Sequence, residues 1–161
     1  MIRKTLTLTA ALLLTLAPTA PAVAAPADVE LLQSYAGSWR GAGELTGPDS
    51  GSVRCRLTFR SQGEKLSFSG RCTVAGSGTR AFTGVLSFND ASGRYEASSM
   101  DGTVVGSKSG RNITFNMSDT TTQGDITSTM QFRGDQIRID FELKDSDTGE
   151  VSGSRVTFTR S

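Results

Sequence analysis

The stretch Ser52 to Val74, SVRCRLTFRSQGEKLSFSGRCTV, constrains this chain more than any other. Folded about a tight turn at Gly63-Glu64, it pairs with itself. Phe59 falls opposite Phe68, Leu57 opposite Gly70, Cys55 opposite Cys72, and Val53 opposite Val74. Side chains alternate along a strand, so these residues share one face while Arg54, Arg56, Arg60, Lys65 and Arg71 share the other. Cys55 and Cys72 are the only cysteines. Cross-strand neighbours at a non-hydrogen-bonded position have the short separation that a disulfide needs. A bridge there pins the register, and register decides which face is buried.

The same pairing continues down the chain. Arg80–Phe88 meets Arg94–Met100 through the turn Asp90–Gly93, which sets Phe88 opposite Tyr95 and Leu86 opposite Ala97. Asp101-Gly102 reads as a two-residue hairpin turn placing Ser99 opposite Val104. Ser109-Gly110 reads as another, placing Gly106 opposite Ile113 and Val104 opposite Phe115. Gly134-Asp135 is a third, pairing Phe132 with Ile137, Met130 with Ile139, Ser128 with Phe141 and Ile126 with Leu143. In the last strand, Val151–Arg160, Val151 and Gly153 have one parity and Val156 and Phe158 the other, which predicts a bulge near Gly153. Ahead of the hairpins, Pro26–Tyr35 has helical spacing with Asp28 in its first turn. Ser38–Leu45 is a first strand whose glycines mark a bend or a close backbone approach.

Roughly ten strands with short connections make an antiparallel meander with one apolar face. Such a meander must curl to hide that face and its edges. The expected fold is all-β: a ten-stranded up-and-down barrel with a short N-terminal helix. A two-sheet sandwich is the alternative.

Met1 to about Ala24 reads as a secretory signal peptide, with Arg3 and Lys4, an apolar run from Leu6 to Ala17, and small residues at Ala22-Val23-Ala24. That run is shorter than the roughly 20 residues that span a bilayer. Residues 25–161 then form a single domain, secreted and in a bacterial periplasm by expectation, where one disulfide is at home. Of 17 basic and 16 acidic residues, the leader takes two basic ones, leaving 15 against 16. A nearly neutral chain is not a nucleic-acid binder by charge.

The chain has no histidine. This removes His-based acid–base chemistry, His-activated nucleophiles and His ligation of zinc or haem. The acidic residues sit mostly in turns. Asp145-Ser-Asp147-Thr-Gly149-Glu150 lacks the full spacing of a calcium loop and reads as a hairpin loop. No catalytic residue, metal site or cofactor is expected, and the chain is not expected to be an enzyme.

Two surfaces remain. The inward face carries Phe59, Phe68, Phe82, Phe88, Tyr95, Phe115, Met117, Met130, Phe132 and Phe141. It makes either a solid core or a partly open cavity for an apolar ligand. Ten strands enclose a wider space than eight, and Gly70, Gly84, Ala97, Ser99, Gly106 and Ser128 are small inward residues that favour a cavity. The outward face of the disulfide hairpin, with Arg54, Arg56, Arg60, Lys65 and Arg71, is either a solvated wall or a docking patch for an anionic partner or surface.

Gly37-Ser38-Trp39 resembles the Gly-x-Trp signature of the calycin superfamily, which includes lipocalins and fatty-acid-binding proteins. Those families place an Arg of the last strand over the Trp, a role that falls to Arg160 or Arg155 here. Tyr35–Gly43 is similar to the opening of nitrobindin-like ten-stranded barrels. Gly84–Tyr95 followed by Asp101-Gly102 resembles bacterial secreted proteins of this shape. The resemblance implies a barrel that holds a small apolar molecule. It does not extend to haem, which nitrobindin-like barrels bind through a histidine. The leading expectation is a non-enzymatic carrier of a lipophilic ligand. The alternative is a protein-interaction module, such as a protease inhibitor or envelope-associated factor.

Overall fold

The computed structural model describes residues 26–161; the expected signal peptide lies outside the described residues. Helix α1, Pro26–Gln33, is followed by ten strands. They are β1 Gly37–Thr46, β2 Gly51–Gln62, β3 Lys65–Val74, β4 Gly78–Asn89, β5 Arg94–Ser99, β6 Gly102–Ser109, β7 Asn112–Thr121, β8 Gly124–Arg133, β9 Gln136–Asp145 and β10 Val151–Arg160. Each pairs antiparallel with its sequence neighbour, and β1 pairs with β10 to close the barrel. Closure leaves no edge strand and excludes the sandwich.

The β2–β3 hairpin forms as expected, with Cys55 facing Cys72, Phe59 facing Phe68, and a disulfide between the two cysteines. The pairings of β4 with β5 and of β8 with β9 are also as expected. Two turns differ. Ser99 faces Gly102 rather than Val104, because the loop is Met100-Asp101 and Gly102 already belongs to β6. Gly106 faces Phe115 rather than Ile113, because the next loop is Gly110-Arg111, with Gly110 at φ 60°. Both differ from the expected register by two residues, which keeps every side chain on its face; apolar alternation cannot detect such a slip.

The bulge near Gly153 is absent. β10 pairs without interruption from Val151 to Thr159 against β9. Val151 simply points outward, 48% exposed, while Val156 and Phe158 point into the barrel. Parity broke because an apolar residue sits on the polar face, not because the backbone kinks.

The glycines of β1 do mark close approaches. A Cβ on Gly43 would land 1.8 Å from the Arg155 carbonyl oxygen, and one on Gly41 would land 2.7 Å from the Phe158 ring. Among the described residues, no helix is long and apolar enough to cross a membrane.

Candidate functional site

The two ends of the barrel differ. At one end lie α1 and the β2–β3, β4–β5, β6–β7 and β8–β9 connections. There the inward residues Trp39, Leu57, Phe59, Leu66, Leu86, Tyr95, Ile113, Phe132, Ile137 and Phe158 are buried. Leu31, Leu32 and Tyr35 of α1 and its C-terminal turn complete this layer. Phe132 is its hub, with edge contacts to Tyr35, Phe59 and Phe115 at ring-centroid distances of 4.9, 5.9 and 6.0 Å.

Polar bonds fasten this lid. Trp39 Nε1 donates to the Tyr35 carbonyl at 3.0 Å. Arg160 donates to the carbonyls of Ala36, at 2.9 Å, and Ser34. Gln33 donates to the Gly63 and Lys65 carbonyls of the β2–β3 turn at 3.1 and 3.0 Å. At the start of α1, the Asp28 carboxylate accepts from the Tyr95 hydroxyl at 2.7 Å and from Lys108 Nζ at 2.5 Å. The Lys108 hydrogen bond, assisted by that from Tyr95, holds the Asp28 carboxyl below the usual carboxylate range. Burial, then the bond to Asp28, pushes the Tyr95 phenol up. Nothing in the sequence pattern pairs Asp28 with Tyr95 and Lys108, which are far apart in the chain. Here they act as a latch for α1.

The other half is more exposed, although Val53, Cys55 and Val156 in it are buried. The inward residues Phe68, Phe82, Met130, Ile139 and Phe141 are half-buried, and Leu45, Val74, Val104, Ile126 and Leu143 nearer the mouth are too. Met117, which shares this inward parity, is 36% exposed. Met100 at the tip of a mouth loop is 97% exposed. The cavity candidates therefore divide. Phe68, Phe82, Met130 and Phe141 line the open half. Phe59, Tyr95, Phe115 and Phe132 belong to the sealed half. Phe88 packs edge-on against Tyr95 at 5.1 Å beside the helix.

The small inward residues do not all leave space. A Cβ on Gly70 would meet the Phe82 ring at 2.2 Å, one on Gly84 the Phe68 ring at 2.5 Å, and one on Gly106 the Phe115 ring at 2.7 Å. Each glycine is the seat of a neighbouring strand's ring. This narrows the lumen where Gly70, Gly84 and Gly106 were expected to widen it. Of the other small inward residues, Ala97 and Ser128 are half-buried and Ser99 is exposed.

A groove of about 940 Å³ lies mainly on the outer wall, and the inward-parity residues Ser128, Phe141 and Ser154 also line it. Most of its lining, including Glu44, Thr127, Thr129, Asp140, Glu142, Arg155 and Thr157, comes from outward-facing positions of β1, β8, β9 and β10. Asp140 sits in it between Arg138 and Arg155, each with Nε 2.6 Å from a carboxylate oxygen. Those guanidinium groups, Arg138 foremost, hold the Asp140 carboxyl below its ordinary range. Arg155 is thus committed to the outer wall, and Arg160 is the residue over Trp39, 4.6 Å from the ring centroid.

The loop after β9 is a hairpin loop held by Asp145. Its Oδ1 accepts from the backbone N–H groups of Asp147 and Thr148 at 2.9 and 2.8 Å, and from the Thr148 hydroxyl at 3.0 Å. Among the described residues, no group of three or more His, Cys, Asp or Glu is arranged to hold a metal ion. Arg54, Arg56, Arg60, Lys65 and Arg71 all lie exposed on the outer wall.

No protein-family model matches the chain, and no curated protein matches it. Solved structures do. Rv2717c from M. tuberculosis is similar at 17% identity and a TM-score of 0.60, over 88% of this chain and 98% of that one. The S-type phycobiliprotein lyase CPES from Guillardia theta is similar at 12% identity and a TM-score of 0.59, over 82% and 91%. At these identities the likeness is one of fold alone, that of a closed antiparallel β-barrel.

Proposed function

We propose that this chain is a secreted, periplasmic binding protein that holds a small lipophilic molecule in the open half of its barrel and catalyses no reaction on it. The observation that carries this reading is the division of the inward face. At the sealed end the inward residues from Trp39 to Phe158 named above are buried, with Phe88 alone half-buried at the rim, whereas Phe68, Phe82, Met130, Ile139 and Phe141 remain half-buried inside a closed wall. With α1 over one end, water reaches them from the mouth. Apolar surface left in water costs roughly 25 cal/mol per Å², which an apolar occupant recovers. Hydroxyls at Ser128 and Ser154, both inward and half-buried, are the polar groups available to orient it. The glycine-seated rings make the site shallow, so the occupant is small.

Native mass spectrometry of the chain purified gently from its host tests this. An excess mass that vanishes on denaturation supports the reading, and its value begins to identify the ligand. The same spectrum reads the N-terminus; a chain starting at Ala25 supports export after residue 24. A bare mass, together with no displacement of an environment-sensitive lipophilic dye by the host's lipid extract, overturns it.

A second reading, a protein-interaction module, is favoured by the outer groove beside Asp140. It predicts a partner whose capture is lost on Asp140→Arg and unaffected by Phe82→Ser in the lumen, a residue that does not line the groove.

A further inference from the structure

We infer that the outer wall formed by β1, β2 and β3 is a docking face for a layer of anionic lipid headgroups. The register places Arg40 directly opposite Arg56, and Arg56 directly opposite Arg71, on three consecutive strands. Arg40 is invisible as part of this group in the sequence, because it belongs to a strand before the hairpin. Arg54, Arg60 and Lys65 extend the patch, and all six side chains are exposed. Strand spacing makes it about 10 Å wide and roughly 20 Å long from Arg54 to Arg60.

Glu44 is the one carboxylate facing outward on these strands. Among the described residues the ion pairs are Lys108–Asp28, Arg138–Asp140 and Arg155–Asp140; none neutralises this wall. On β5 to β10 the outward charges are nearly balanced, with Arg94, Arg133, Arg138, Lys144 and Arg155 against Glu96, Asp125, Asp140 and Glu142. Like charges directly across a sheet are destabilising. A row of three arginines with no counter-charge within the fold is therefore complementary to an external anion.

The form of the patch selects among anions. The remaining outward positions of these strands are Ser, Thr, Ala and Gln. Protein hot spots are set in apolar, aromatic-rich centres, and single-stranded nucleic acid stacks on aromatic rings; neither has a platform here. A linear polyanion engages a line of charge, whereas this array is three strands wide. From the axis of β1 to that of β3 is two of ten interstrand spacings, roughly a fifth of the circumference, over which the backbone falls away from a plane by roughly 2 Å. Arg side chains span that easily, so their guanidinium groups reach one plane, as phosphates at a bilayer surface present themselves. This inference is independent of what the lumen holds.

The test is co-sedimentation of the full chain with vesicles of mixed phosphatidylglycerol and phosphatidylcholine, against phosphatidylcholine alone, at low ionic strength. Every variant is purified from the exporting host, and mass spectrometry checks that all carry the same N-terminus as the wild type. The wild type is expected to bind the anionic vesicles and to be released as salt rises. Arg40→Gln with Arg56→Gln and Arg71→Gln is expected to weaken binding by on the order of a hundredfold. The corresponding triple Lys variant keeps the charge and is expected to bind. Equal binding to neutral vesicles, unchanged binding by the Gln variant, loss of binding by the Lys variant, or no binding by the wild type would overturn the inference. Capture on heparin without capture on vesicles would also overturn it and assign the wall to a linear polyanion.

Discussion

Arg160 sits over the indole of Trp39, its guanidinium carbon 4.6 Å from the ring centroid, and the two residues are cross-strand partners where the barrel closes. Between them they satisfy three consecutive carbonyls, those of Ser34, Tyr35 and Ala36, just past the end of α1. Helix ends leave such acceptors without intrahelical partners. The pair therefore performs two tasks: it joins the last strand to the first, and it anchors the lid.

Arg160→Ala should lower unfolding free energy by about 2 kcal/mol, from a cation–π contact and charge-assisted hydrogen bonds that are partly solvated. Arg160→Lys should recover only part, since an ammonium cannot donate in the same fork. Arg155→Ala should change stability by less than about 1 kcal/mol, as an exposed ion-pair partner. Urea unfolding followed by Trp39 fluorescence measures all three; equal losses for Arg155→Ala and Arg160→Ala would refute the assignment.

The Asp28 latch makes a pH prediction. Its carboxyl is held low in the folded state, chiefly by Lys108 and then by Tyr95. Its contribution is therefore present above the unfolded carboxylate pKa of about 3.9 and lost as pH falls through the lower folded value. Tyr95→Phe should cost about 1–2 kcal/mol at pH 7, and less at pH 3. If Asp28→Asn retains the wild type's full acid sensitivity below pH 4, the latch is not its source.

Cys55→Ser with Cys72→Ser should still fold, because every ladder bond remains. Closing this short loop contributes about 3 kcal/mol, or roughly 10 °C in melting temperature for a domain of this size. Calorimetry in oxidising buffer checks the size, and thiol titration of the unfolded wild type checks the bond. Two free thiols would sink the claim.

Gly70 and Phe82 should be energetically coupled. Gly70→Ala drives a methyl into the Phe82 ring, which would lie 2.2 Å away. Such overpacking costs about 1–3 kcal/mol. In a Phe82→Ala background the same change should be nearly free, giving a coupling of about 1 kcal/mol or more in a double-mutant cycle. Additive effects would mean that the ring does not depend on the glycine for its seat.

What the sequence determined by itself was the product of local rules. Alternation identified the inward face of each strand, turn residues separated ten strands, and the unique cysteine pair across Gly63-Glu64 aligned β2 with β3. A meander with one apolar face then had to close. Alternation has a period of two, so it could not separate the true β5–β6 and β6–β7 registers from ones displaced by two residues. It also mistook the outward Val151 for a sign of a bulge. Only the tertiary structure decided that Arg160 rather than Arg155 covers Trp39, because that choice depends on where β10 closes on β1. Only it joined Asp28 to Tyr95 and Lys108, set Arg40 beside Arg56 and Arg71, and filled the hollows at Gly70, Gly84 and Gly106 with rings from adjacent strands. Each of these depends on strand register, on rotamers that fill a neighbour's hollow, or on where β10 closes on β1, and an alternation of period two specifies none of them.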